Sequence, residues 1–148
     1  MSNILYMGAA VAFEEKSAWI MLVLAVTTYS GYLVTVWRSA SDTALVDVPY
    51  IAPMLWAIGI SIGASIVIHI ALGAFSERFK DQRDREIYQS GERIGQSFIV
   101  IGALAALLLA MAEVSYFWIA NAVCLAFFLS AVLSSIARIC FYRFGFPR

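Results

Sequence analysis

Charge is what this sequence has least of. Only 20 of its 148 side chains are ionised acids or bases, ten of each sign, where a water-soluble domain has about a quarter of its residues charged. That shortage excludes a soluble globular protein. A formal net charge of zero leaves no concentrated basic face, which excludes nucleic acid as a direct partner. Histidine occurs once, as His69, and the two cysteines are Cys124 and Cys140. Sixteen helical residues hold those thiols roughly 24 Å apart, too far for a disulfide. One imidazole, with no carboxylate in either of the first two spans, makes no metal site within a single chain. The sequence also has no HExxH, no phosphate-cradling glycine loop and no CxxC. Catalysis would rest on His69 and a serine of its own helix face without an orienting acid. The expectation is a protein that is not an enzyme and has no resident cofactor or metal.

Apolar residues fill the space that charge leaves: they make up 62% of the chain, and mean hydropathy is +0.83. At roughly 20 residues per span, four helices use nearly the whole length. The fold class expected is an all-α integral membrane protein, one membrane domain over 1–148. Residues 1–17 carry a short apolar run that ends at Glu14, Glu15 and Lys16. With no basic residue before the run and no small-residue cleavage site after it, it reads as a retained interfacial segment. Ser17 is the expected N-cap of a first span over 18–37, closed by Trp37 and Arg38. Pro49 and Pro53 lead into a second span over 51–75, proline being tolerated in a first helical turn. Span three is expected over 96–112. A very short turn after Glu113 makes it the antiparallel neighbour of span four, 117–141.

Between spans two and three, residues 76–95 read SERFKDQRDREIYQSGERIG and hold half of the charges. Opposite signs interleave at helical spacing, with Asp81 four residues before Arg85, which favours a water-exposed helix. Ile87, Ile94 and Phe98 recur along it, with Gly91 and Gly95 on or beside the same stripe. The stretch therefore reads as a charged helical extension ahead of span three. Nine of the ten basic residues fall on one side of the four spans, and Arg38 stands alone on the other. The positive-inside rule puts both termini and the charged segment in the cytoplasm. Asp81, Arg83, Asp84, Arg85 and Glu86 are the candidate contacts for a cytoplasmic protein partner or for anionic lipid head groups.

Within the spans, Ser61, Ser65 and His69 follow at intervals of four and so share a face. An ionisable side chain at that depth is a candidate site by default. It admits three readings: a neutral imidazole hydrogen-bonded to a neighbouring helix, a proton or ion path, or haem ligation between two copies. Small residues recur at the same spacing, with Gly59 and Gly63 in span two, Gly102, Ala106 and Ala110 in span three, and Thr27, Gly31 and Thr35 in span one. Such stripes let helices approach closely, and the span-two stripe lies opposite Ser61 and Ser65, as a homodimer would use. On span four, Ser130, Ser134 and Arg138 form a further polar face, Arg138 reading as an interfacial anchor whose stem snorkels. Asn121 sits one turn inside the opposite surface, where Glu113 could close a polar site with it.

The loop residues Asp81, Arg83, Asp84, Arg85, Glu86 and Ile87, with Trp118 to Asn121 and the tail residues Tyr142, Arg143 and Gly145, resemble a prokaryotic family of small predicted membrane proteins. Members carry a DERDREI-like loop and a YRRGF-like tail. Gln82 and Phe144 depart from that pattern, and the resemblance covers the C-terminal half. It implies a bacterial inner-membrane setting and no mechanism. The leading expectation is a non-enzymatic homo-oligomer, a dimer before other states, that regulates or scaffolds a partner through its charged segment. The alternatives are a small transporter along Ser61, Ser65 and His69, and a haem- or quinone-associated redox subunit using His69.

Overall fold

The computed structural model describes residues 2–76 and 82–145, with side chains described for 13–71, 73 and 82–145. It is all-helical over those residues. Helix α1 runs Ser2–Ser39, α2 Ile51–Ser76, α3 Gln82–Met111 and α4 Tyr116–Phe144, with a short 3₁₀ turn at Leu45–Asp47 between the first two. All four helices contain stretches long and apolar enough to cross a membrane: Phe13–Ser39, Ile51–Ala71, Gln82–Met111 and Tyr116–Phe144.

Two expected boundaries are absent. Helix α1 passes through Ser17 without a break, so Ser17 caps nothing and residues 2–17 are not a separate helix. Glu and Lys are good helix formers, and no Gly or Pro interrupts 9–30, so the charges change where the helix is polar without stopping it. Span three, expected from Gln96, is likewise the second half of one 30-residue helix. Its charged extension and its apolar part are continuous. By contrast α2 starts at the expected Ile51, with Pro53 in its first turn, where a missing amide hydrogen breaks no intrahelical bond.

The principal packings join α2 to α1, α1 to α4 and α4 to α3. Helices α2 and α3 therefore flank the other two. At one end of the layer Tyr32, Val36, Val48, Met54 and Phe117 form a buried cluster from α1, the following loop, α2 and α4. The Tyr32 hydroxyl donates to Asn121 Oδ1 at 2.7 Å, and Asn121 Nδ2 returns a bond to the Phe117 carbonyl at 2.8 Å. Tyr29 stacks on Phe128 with centroids 4.2 Å apart. Large apolar side chains elsewhere, Ile60, Ile66, Val67 and Ile70 of α2 and Leu104, Leu107 and Leu108 of α3 among them, are exposed. A bilayer accommodates such a surface without cost, and water does not.

The tightest contact is the α3–α4 hairpin, and glycine makes it so. A Cβ at Gly102 would overlap the Cβ of Ala126. At Gly95 it would stand 2.9 Å from both the carbonyl oxygen and Oγ of Ser130, and at Gly91 2.7 Å from Arg138 Cγ. Ala106 is buried in the same seam, whereas Ala110 is exposed. Around the turn, Val114 N–H bonds the Leu109 carbonyl at 3.1 Å and Glu113 N–H bonds that of Ala110 at 3.1 Å. This is a Schellman closure, with Glu113 at φ 53° in the position that favours glycine.

Candidate functional site

Ser61 and Ser65 both face α1. Ser61 Oγ donates to Thr28 Oγ1 at 3.1 Å, and Thr28 passes its own proton to the Leu24 carbonyl at 2.7 Å. Ser65 Oγ points at Met21 Sδ, 3.9 Å away. These hydroxyls thus bond between two touching helices, as polar side chains in lipid require. His69 does not join them across the interface. Its Nδ1 lies 2.7 Å from the Ser65 carbonyl of its own helix, and the ring is exposed. A carbonyl only accepts, so Nδ1 is the donor in this contact. Gly59 and Gly63, on the opposite side of α2, have no atom within 4 Å of where a Cβ would be.

The other polar grouping gathers three helices at one end of the molecule. Arg143 Nε donates to Glu15 Oε1 at 2.8 Å, tying the end of α4 to α1. Tyr142 donates its hydroxyl to Asp84 Oδ1 at 3.2 Å, tying the same turn of α4 to the start of α3. One turn back, the Arg138 stem lies over Gly91. Its Nη2 reaches Glu92 Oε1 at 3.0 Å and Ser134 Oγ at 3.4 Å, and its guanidinium sits 4.7 Å from the centroid of the Tyr88 ring. The arginine side chain is only 13% exposed. It is therefore an interhelical clamp and not the snorkelling anchor expected, because its counter-charge lies on α3, 46 residues away in sequence.

Of the expected contact residues, Arg83, Arg85 and Glu86 are exposed, Asp84 is 8% exposed, and Asp81 lies outside the described residues. Asp84 turns inward because it shares a helix face with Ile87, which is fully buried, and with Gly91. That three-then-four spacing was the signal available in sequence. Beside Asp84 a cavity of about 130 Å³ is lined by Glu14, Asp84, Arg85, Tyr88 and Gln89. No group of three or more His, Cys, Asp or Glu side chains suited to a metal ion occurs among the described residues. Asn121, for its part, pairs with Tyr32, while Glu113 occupies the hairpin turn. No protein-family model, curated protein or solved structure matches the chain.

Proposed function

We propose that this chain is a non-enzymatic membrane scaffold that presents the first half of α3 to a cytoplasmic protein partner. The observation that carries this reading is the docking of that half onto α4. Ile87 is fully buried, Gly91 and Gly95 let the backbones touch, and Arg138 clamps Glu92. A charged segment so held presents Arg83, Glu86 and Arg93, all exposed, as a fixed pattern whose ordering cost is met in folding and not at binding. The excess of basic residues at this end supports a cytoplasmic orientation with both termini inside, as in a bacterial inner membrane. The open stripe of Gly59 and Gly63 on flanking helix α2 supports a homo-oligomer, a dimer above all, formed through that face.

Photo-crosslinking groups placed at Glu86 and Arg93, and at lipid-facing Ile60 as control, test the partner reading in native membranes. A discrete heterologous adduct at both α3 positions, absent at Ile60, is expected. Self-adducts alone at those positions, or the same adducts from Ile60, would count decisively against it. A second reading has one observation in its favour. His69 donates Nδ1 to a carbonyl, the support that ligating imidazoles commonly use, which suits haem held between two copies. A visible Soret band lost in His69→Ala would establish that reading.

A further inference from the structure

Outside its contact with α4, helix α3 carries a line of residues at intervals of seven: Gln89, Gln96, Ala103 and Ala110, all exposed. A straight helix drifts by only about 20° in seven residues, so the four form one stripe. Contacts on the other side of α3 set the level of that stripe. Gly95 lies against Ser130 of α4, and Ser130 is thirteen residues from Phe117 and thirteen from Arg143. Phe117 belongs to the buried cluster at one end of the layer, and Arg143 holds Glu15 at the other. Gln96, next to Gly95, therefore stands midway between the two ends, about 20 Å from each along the helix.

Lipid offers an amide nothing to bond. Ser97, one residue on, meets that lack within its own helix, its hydroxyl donating to the Arg93 carbonyl at 3.0 Å. The Gln96 amide has two donors and a carbonyl acceptor, more than the carbonyls of an intact helix can match. Amides so placed bond across helices. An identical amide is the partner best matched in height, because two copies in one orientation present the same residue at the same level.

We propose that a second copy of this chain covers the stripe, the two α3 helices packing in parallel about a two-fold axis along the membrane normal, with Gln96 bonded to Gln96 of the second copy. Each amide donates to the carbonyl of the other, and Ala103 and Ala110 are small enough to let the backbones approach. The flanks of the stripe match in charge. At about 100° per residue, Arg93 stands about 60° to one side of Gln96 and Glu92 about 40° to the other. A two-fold axis sets unlike flanks face to face, so Arg93 of each copy meets Glu92 of the other. Glu92 already accepts from Arg138 through Oε1, and a carboxylate offers about four acceptor sites. This contact deepens the homo-oligomer reading and rests on it. Because α2 and α3 flank opposite sides of the layer, it leaves the Gly59 and Gly63 face open.

The test uses the purified full-length chain in phosphatidylcholine vesicles, with Cys124 and Cys140 replaced by alanine and a single cysteine introduced. Oxidation should link Ala103→Cys into a disulfide dimer and leave Ile101→Cys monomeric, since Ile101 is 58% exposed at nearly the same level but off the stripe. Gln96→Leu should weaken dimerisation about tenfold, read by energy transfer between terminally labelled copies. Should the cysteine-free chain fail to fold, a photo-crosslinking residue at Ala103 in the native chain reads the same contact. No link at Ala103, equal yields at Ala103 and Ile101, or an affinity unchanged in Gln96→Leu overturns the proposal. A disulfide from Gly63→Cys without one from Ala103→Cys overturns the α3 contact while upholding a homo-oligomer through α2. Because no other protein is present, failure here leaves the crosslinking test of the scaffold reading untouched.

Discussion

Adding one methyl group at Gly102 should weaken the protein, although the same change at Gly31 should not. A Cβ at Gly102 would coincide with that of Ala126 on α4, whereas nothing lies within 4 Å of the corresponding point at Gly31. Alanine is favoured over glycine in a helix interior by about 1 kcal/mol, a gain open to both substitutions. At Gly102 it is opposed by overpacking, which costs about 1 to 3 kcal/mol because two backbones must separate along the seam that also holds Gly91 and Gly95. Gly102→Ala should therefore destabilise by about 1 kcal/mol net, while Gly31→Ala should be neutral or stabilising. Reversible unfolding in mixed micelles measures both, and Ala126→Gly in the Gly102→Ala background should restore most of the loss. Equal effects at the two glycines, or no rescue by Ala126→Gly, would refute the α3–α4 register described.

Three further outcomes follow from single contacts. Glu113 sits at φ 53° in the hairpin turn, so Glu113→Gly should stabilise by about 1 kcal/mol in the same unfolding assay. Tyr32→Phe removes the 2.7 Å bond to Asn121 and should cost about 0.6 kcal/mol, the usual value for a side-chain bond within a membrane; Asn121→Ala should add little in the double variant. Arg138→Gln loses the Glu92 pair and the Tyr88 ring contact, and should cost about 1 to 2 kcal/mol with the loss shrinking in high salt.

Composition and run length alone make the four apolar helices legible, because a span about 20 residues long leaves few ways to divide the chain. Helix ends are legible where a proline or a turn enforces them, as at Pro53, and not where well-formed helix merely turns polar, as at Glu14–Ser17 and Gln96. Small-residue stripes occur in three spans, and nothing local distinguishes the stripe that meets a partner from one that stays open. Only the antiparallel register puts Gly102 against Ala126 while leaving Gly59 and Gly63 uncovered. In the charged segment the stripe through Ile87, Gly91 and Gly95 is the buried one, and Ile94, which reads as part of it, is 38% exposed. Its residue type puts Asp84 among the surface charges, yet its spacing to Ile87 and Gly91 puts it inside. Glu92 and Arg138, or Tyr32 and Asn121, meet only through packing, and pairings so distant leave no mark on a single sequence.

The first half of α3 is a fixed helix and not a flexible loop. Hydrogen exchange of the backbone amides of residues 84–95, followed in bicelles, tests that most directly. Docking on α4 through Ile87, Gly91 and Gly95 predicts slow exchange, with protection of at least a thousandfold over an unfolded chain, the equivalent of about 4 kcal/mol of local stability. Gly91→Leu should remove that protection while leaving the apolar half of α3 protected. Exchange within tenfold of the unfolded rate in the unaltered protein would contradict the fixed helix, and with it the scaffold reading.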